Sequence, residues 1–254
     1  IVQSAIVKSE ISTIADPLHV ISEAELSSNP SQSLGETIDS LLGVASADYG
    51  AAVGQPIIRG MSGTRVRVLN NGMVIRDVTS LGADHVNEVD FNHAQQVEII
   101  KGPASLLYTN GVIGGIVNVV DDTIARTDVD GVDISLGLET QSVNEGDAQT
   151  ASIATNIGGF NVFAAYSDSD LENYDVPDGA VIHEEEEHHD EDEHEGEEEH
   201  HDEEHEEESG FVNNSDFATT KSRFGISRTG DWGHIGLSYS DSESVYGIPF
   251  HGDD

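Results

Sequence analysis

The sequence predicts a small α+β domain over about residues 20–125, followed by antiparallel strands of the kind that build membrane barrels. Short helix and strand signals are mixed with many glycines in the first region. From about residue 126 the pattern changes to strict alternation of apolar and polar residues. No apolar run of about 18 residues exists, so no membrane-spanning helix is expected. Residues 1–19 precede the domain as an extended arm.

The first domain opens with a short helix predicted over residues 33–42, where apolar residues recur at helical spacing. Ser33 and Glu36 fit a capping box, and Gly43 fits a helix end. A hairpin follows, in which alternating residues 65–69 turn at residues 70–72 and return at 73–75.

The second half of this domain contains two further strands with a helical turn between them. Residues 97–100 are a run of buried-strand type, and Pro103 suits the first turn of a helix over 104–108. A pair of glycines at 114–115 then precedes a strand over 116–120. These elements predict a compact α+β unit of roughly 100 residues.

The remaining residues predict about five long strands. Val132, Ile134, Leu136 and Leu138 alternate with polar residues, and the same pattern recurs through residues 151–166 and 223–239. Strands of about 9–11 residues with alternating faces are typical of a membrane barrel. Taken alone, the pattern fits a soluble antiparallel sheet equally well.

Composition excludes several classes of function. The chain carries 49 acidic residues against 10 Lys plus Arg, a net charge of −39, so nucleic acid is not an expected partner. It has no cysteine, which excludes disulfides and thiolate metal sites. Phosphate loops, nucleophile elbows and paired carboxylates of a defined cleft are absent from the sequence, so we expect no enzyme and no catalytic residue.

One segment is made almost entirely of acids and histidines. Residues 183–208 contain 18 Asp or Glu and 7 His in 26 positions. The seven histidines are His183, His188, His189, His194, His200, His201 and His205. Imidazole with carboxylate and no sulfur suits zinc, nickel or copper(II). Acidic runs alone usually form solvated loops, but this density of histidine favours several loose metal sites.

Three ordered motifs resemble the plug of TonB-dependent receptors. They are QPIIRG at 55–60 with RVRVLNNG at 65–72, VEIIKGPASLLY at 97–108, and GGIVNVV at 114–120. Their order and spacing match the family over about residues 20–125. Residues 126–254 then lie where the barrel of such a receptor begins, with a long outer loop at about 173–217.

The resemblance implies a plug seated in a 22-stranded barrel in the outer membrane of a Gram-negative bacterium. Its implied partners are outer-membrane lipid and TonB, energised by ExbB and ExbD. Arg59, Glu98 and Lys101 would be charges that hold the plug reversibly in the lumen. Residues 5–8 are the best candidate for a TonB box. Five strands cannot close a barrel, so we expect a fragment that ends in an outer loop, with any leader already removed.

A tighter metal site is expected in the plug at Asp84 and His85, on a loop facing outward. This pair, together with NYDVP at 173–177 and YGIPFH at 246–251, is most similar to zinc receptors of the ZnuD type. His251, Asp90 and His93 are weaker candidate ligands. An ordinary solvated loop is an equally good explanation for Asp84 and His85.

Three functions therefore remain open. The first is import of Zn²⁺ or a related divalent metal, with the histidine-rich segment capturing ions. The second is a receptor for haem, a metallophore, nickel or copper. The third is a surface metal-storage or adhesion protein without transport. A TonB box and a complete barrel downstream would argue against the third.

Overall fold

The fold is seen in a computed structural model, which describes residues 18–28, 31–50, 53–75, 79, 82, 84–102, 105, 112–177, 180 and 210–249. Several predicted features lie outside these residues: the TonB-box candidate at 5–8, most of the 104–108 helix, the segment 183–208, and His251.

The first domain contains a five-stranded sheet, called here the mixed sheet. Its elements in chain order are β1 (Leu18–Ser22), α1 (Glu23–Ser28), α2 (Leu34–Ile38), β2 (Val44–Asp48), β3 (Gly54–Ile58), β4 (Val66–Asn70), β5 (Met73–Val74), β6 (Gln96–Lys101) and β7 (Gly115–Val120). The strand order in the mixed sheet is β1-β6-β7-β4-β5, with β4 and β7 parallel and the other pairs antiparallel. β2 and β3 form a separate hairpin.

The N-cap predicted at Ser33 is confirmed for α2, but the predicted helix length is wrong. Ser33 is the N-cap, and its Oγ accepts a hydrogen bond from the Glu36 backbone N–H at 3.2 Å. The α-helix stops at Ile38 instead of residue 42, since the chain turns there to enter β2. Leu34 and Ile38 are fully buried and join the core of the mixed sheet.

The second half of the chain forms one meander of long antiparallel strands, called here the long sheet. Its strands are β8 (Val132–Gln141), β9 (Gly146–Ile157), β10 (Phe160–Leu171), β13 (Phe217–Gly230) and β14 (Gly233–Tyr246), in the order β14-β13-β10-β9-β8. A two-residue pair, β11 (Tyr174–Asp175) with β12 (Phe211–Val212), stands between β10 and β13. The five predicted strands are confirmed.

The tight turn predicted between β9 and β10 has the expected geometry. Gly158 and Gly159 both have positive φ, 63° and 85°, which is the requirement of a two-residue type I′ hairpin turn. This turn fixes the pairing of Phe160 with Ile157, and with it the register of both strands.

The two faces of the long sheet differ in a way unlike that of a soluble protein. One face carries exposed apolar side chains, with Leu136 at 77% and Leu138 at 88% exposure. On the same face the register places one row across all five strands, made of Ile134, Ile153, Ala164, Phe224 and Tyr239. The opposite face carries buried polar residues, among them Asn161, Ser167, Arg223 and Ser227, and packs against the first domain. An apolar exposed face with a polar covered face is the pattern of a membrane barrel wall.

No helix among the residues that the structure describes is long and apolar enough to cross a membrane.

Candidate functional site

The loop that carries Asp84 and His85 is held by one buried amide. Gln55, on β3, is only 3% exposed. Its Nε2 lies 2.7 Å from the carbonyl oxygen of Gly82, 3.1 Å from that of His85 and 3.3 Å from that of Thr79. An amide NH₂ has two hydrogens, so these three acceptors share two donors. The side chain of Gln55 thus fixes where the candidate metal pair sits.

His85 also contacts the long sheet. Its Nδ1 lies 3.3 Å from the hydroxyl of Tyr246, at the end of β14. Next to it, Val53 and Val86 of the first domain pack with Leu171 and Phe217 of the long sheet in one small apolar cluster. The loop therefore contacts the end of the long sheet where β10 ends and β13 begins. The connection between these two strands is the longest in the sheet.

That connection is closed at its base by hydrogen bonds, forming what we call the neck. Asn173 Oδ1 accepts from the Ser215 backbone N–H at 2.8 Å, and Ser215 Oγ accepts from the Tyr174 N–H at 2.8 Å. The two-residue pair of β11 and β12 continues the closure. The histidine-rich segment is joined to the fold through this neck, which lies against the same apolar cluster as the loop of His85.

The structure brings some predicted site residues together and separates others. Asp84 and His85 lie on one loop next to the neck. Among the described residues there is no group of three His, Asp or Glu side chains that could hold one metal ion. The seven histidines of segment 183–208 and His251 fall outside the described residues.

Asp90 and His93 lie in a different place from Asp84 and His85, at a buried junction between the first domain and the long sheet. His93 Nδ1 lies 3.3 Å from Asp90 Oδ2, and Arg223 Nη2 on β13 lies 3.1 Å from the same oxygen. The Arg223–Asp90 contact is an ion pair without hydrogen-bond alignment. Asp90 thus has an ion-pair partner that the sequence alone did not reveal.

A second carboxylate completes this junction. Arg223 Nη1 donates to Asp121 Oδ2 at 3.0 Å, just after β7 ends. Burial by itself raises the pKa of Asp90, but the His93 hydrogen bond and the Arg223 charge outweigh it and hold that pKa well below its usual range. The Asp90 carboxylate is therefore ionised at neutral pH.

The segment after β7 follows the polar face of the long sheet through further contacts. Ser227 Oγ donates to the Ala125 carbonyl at 2.9 Å, and the Val129 N–H donates to Asn161 Oδ1 at 2.9 Å. Gly225 of β13 lies so close to Thr123 that a Cβ there would stand 1.7 Å from its carbonyl oxygen. This is the close backbone approach that only glycine allows.

Two of the three charges predicted to hold the plug, Lys101 and Glu98, have hydrogen-bond partners within the first domain. Lys101 Nζ donates to the Leu42 carbonyl at 2.6 Å, and burial followed by the Arg59 charge lowers the Lys101 pKa. Glu98 is fully buried and accepts from Asn118 Nδ2 at 3.0 Å. Among the described contacts, Arg223 makes ionic links with Asp90 and Asp121 between the first domain and the long sheet.

Comparison with known proteins agrees with this architecture. The family model described as TonB-dependent Receptor Plug Domain matches residues 10–116. The first domain is a TonB-dependent receptor plug domain. The strands after this plug domain have the arrangement that begins the barrel in solved receptors of this kind.

Three solved structures illustrate the likeness. The copper transporter OprC superposes with a TM-score of 0.69 at 17% identity, covering 94% of this chain and 32% of that one. The FrpB iron transporter from Neisseria meningitidis gives 0.64 at 14% identity, covering 89% and 31%. The ferric enterobactin receptor PfeA from Pseudomonas aeruginosa gives 0.62 at 13% identity, covering 92% and 33%. The chain spans about a third of the length of these structures, and at such identities the likeness concerns the fold.

Proposed function

We propose that this chain is the plug domain and first wall strands of a TonB-dependent outer-membrane receptor that imports zinc or a related divalent metal. The observation that supports it best is the position of the neck. The connection that carries seven histidines leaves the long sheet beside the plug loop of Asp84 and His85. A captured ion would be released next to a carboxylate and an imidazole on the plug.

The segment 183–208 acts in this proposal as a collector. Neutral imidazoles and carboxylates bind zinc weakly and interchangeably, which raises the local ion concentration at the outer end of the sheet. Binding falls as the pH drops through about 6, since imidazolium has no lone pair for a metal. The metal is the transported ligand, and Asp84 and His85 contribute part of a tighter site whose other ligands come from the remaining barrel.

The outer-membrane location and the partners belong to the same proposal. The exposed apolar face of the long sheet suits contact with outer-membrane lipid. TonB, with ExbB and ExbD, would supply the energy through the N-terminal arm. The similar solved receptors are named for copper, iron and ferric enterobactin, which supports a metal-containing ligand. The proposal of zinc rests on the histidine and carboxylate donors of this chain.

The second candidate is a receptor for another metal or for a chelate, such as copper, nickel, haem or a metallophore. The likeness to OprC favours copper within this group. The third candidate is a surface protein without a transport role, and this function would not explain the plug domain.

Two experiments test the metal proposal at its separate steps. A peptide spanning 183–208 is titrated with Zn²⁺ by calorimetry at pH 7.4 and at pH 5.5. We expect binding tighter than millimolar at the higher pH only; absence of binding at pH 7.4 refutes collection by this segment.

In the full-length receptor, replacing Asp84 and His85 together by Ala should reduce zinc uptake, with Asp147→Ala and His234→Ala together as the control. Unchanged uptake would remove this pair from the proposed site.

A further inference from the structure

One cation stands on the exposed face of the long sheet, near the end where the strands meet in tight turns. Arg228 lies two residues before Gly230, where β13 ends, and alternation places both on the same face as Phe224. A strand rises about 3.4 Å per residue, so Arg228 stands roughly 7 Å from the end of β13. Lys221 and Arg223 lie on the opposite face, and the strands of the long sheet contain no other Lys or Arg.

Two aromatic side chains border Arg228. Its Cζ lies 5.4 Å from the centre of the Phe160 ring on the neighbouring strand β10. Trp232, in the turn between β13 and β14, folds its indole over Gly230, because a Cβ built at that glycine would stand 2.5 Å from the indole Nε1. The guanidinium and the indole N–H are therefore presented on the same face, two positions apart along β13.

The surface around these side chains is apolar. Ile157 pairs with Phe160 and Ile235 pairs with Arg228, and the two isoleucines are 66% and 67% exposed. No ion pair of Arg228 is found among the residues that the structure describes. The nearest acid along the chain, Asp231, stands exposed in the turn. An arginine on a lipid-facing surface is costly unless its charge reaches the interface or meets an anion.

This surface is formed by described residues alone. Strands join a sheet at their edges, and β13 already pairs with β10 on one side and with β14 on the other. Further strands would pair beyond β8 or β14 and would not cover the face that carries Arg228. The exposure of Arg228 and Trp232 is therefore a property of the long sheet itself.

The lengths of the connections indicate which end of the sheet this is. The turns nearest Arg228 have two residues each, 158–159 and 231–232, and the longest connection, between β10 and β13, leaves the opposite end. Outer-membrane barrels have short turns on the periplasmic side and long loops outside. In the proposed location, Arg228 and Trp232 thus stand at the periplasmic leaflet, which consists of glycerophospholipids.

We propose that Arg228 and Trp232 bind the phosphate of a glycerophospholipid in that leaflet. The guanidinium presents a planar fork of N–H donors that matches two phosphate oxygens, and the indole N–H adds a third donor. Phe160, Ile157 and Ile235 contact the acyl chains beside the headgroup. Tryptophan suits this depth because its ring is apolar and its N–H is polar.

The inference goes beyond metal import and rests only on the outer-membrane location within the proposed function. A phosphate held between the guanidinium and the indole keeps the ends of β13 and β14 at the level of the headgroups. The ligand is a lipid and not a free anion, because the donors open onto an apolar surface that acyl chains cover.

The test measures lipid binding by the full-length receptor in detergent, with native mass spectrometry and short-chain phosphatidylglycerol as the probe. Arg228→Gln should weaken this binding about tenfold, since it removes the charge and the fork together. Arg228→Lys keeps the charge without the fork and should weaken binding about threefold. Trp232→Phe keeps an aromatic ring without the N–H and should also weaken binding about threefold. Heat-dependent gel mobility confirms that each variant is folded.

Two controls isolate the phosphate contact. Tyr239→Phe removes one donor on the same exposed face, away from Arg228, and should leave binding unchanged. A diacylglycerol with the same chains lacks the phosphate, so it should bind the parent receptor about tenfold more weakly and should not distinguish the parent from Arg228→Gln. Inorganic phosphate at the concentration of the lipid should not displace phosphatidylglycerol.

Each opposite result overturns a defined part of the inference. Equal phosphatidylglycerol binding by the parent and by Arg228→Gln overturns the site. Equal binding of diacylglycerol and phosphatidylglycerol by the parent assigns the surface to acyl chains alone, and displacement by inorganic phosphate assigns it to a free anion; either result overturns the lipid phosphate as occupant.

The outcomes also separate this inference from the proposed function. Failure of zinc accumulation, with the difference between the parent and Arg228→Gln intact, overturns metal import and leaves the lipid site standing. Recovery of the receptor outside the outer-membrane fraction of cells overturns the location on which both proposals rest.

Discussion

Arg223 of β13 places its Nη1 3.0 Å from Asp121 Oδ2, which joins the long sheet to the end of the plug domain across 102 positions of sequence. Both side chains are less than a tenth exposed. Removing one partner of a buried charged pair leaves the other without compensation, at a cost of about 3–5 kcal/mol. This contact is thus the main ionic attachment of the plug domain to the wall among the described residues.

Replacing Arg223 by Gln should loosen that attachment. We expect faster hydrogen exchange in residues 86–95 and 120–125 of the full-length receptor, and a free energy of plug unfolding lower by about 3 kcal/mol. The control is Arg228→Gln, on the same strand but on the exposed face over Phe160. Equal exchange in both variants would show that Arg223 does not hold the plug domain.

The same junction should be sensitive to acid. The pKa of folded Asp90 lies below the ordinary value of 3.8, so its ionised form stabilises the folded state above that pH. This stability is lost as the pH falls from 3.8 through the lower folded pKa. Asp90→Asn should flatten this part of a stability profile measured between pH 7 and pH 2. A profile as steep as that of the parent protein would exclude Asp90 as the cause.

Glycine at position 225 should be required for docking. A methyl group there meets the Thr123 carbonyl at 1.7 Å, an overlap that forces the backbone segments apart. Gly225→Ala should therefore lower the midpoint of thermal unfolding and expose residues 121–126 to protease. Ala151→Val adds volume on the apolar face of β9 and is the control, for which we expect little change. An unchanged midpoint of thermal unfolding in both variants would contradict the close approach of Gly225 to Thr123.

The loop of Asp84 and His85 should depend on the amide of Gln55. Gln55→Glu keeps the size and shape of the side chain. It replaces the NH₂ group, which faces three carbonyl oxygens, by a carboxylate oxygen that cannot donate a hydrogen bond to them. We expect protection of residues 82–87 against hydrogen exchange to fall, at a cost of about 1–3 kcal/mol for the unsatisfied groups. Gln149→Glu, an exposed position on β9, should have no such effect. Undiminished protection would show that the loop is held by other contacts.

Much of the fold follows from periodicity and short motifs. Alternation at Val132 to Leu138 and the paired glycines at 158–159 predict the strands and turn of the long sheet, because a strand with one buried face has a period of two. The helix that was predicted to reach residue 42 ends at Ile38, since tertiary context and a turn into β2 override the local apolar spacing. β1 and the hairpin of β2 and β3 carry weak local signals and were not predicted.

The site was less predictable, because its contacts join distant positions. Asp84 and His85 could be found as an adjacent carboxylate and imidazole, but the contact of His85 with Tyr246 spans 161 positions. Arg223 is visible in the sequence only as a charge within a strand of alternating residues. Its pairing with Asp90 and Asp121, however, depends on how the plug domain is placed against β13.

The most direct measurement is zinc accumulation by zinc-limited cells that carry or lack the full-length receptor, each with and without functional TonB, alongside supplies of haem, nickel and copper. We expect receptor-dependent zinc accumulation that disappears without TonB and is reduced when residues 183–208 are deleted. Accumulation of haem or copper but not zinc, or zinc uptake that is the same without the receptor, would contradict the proposed function.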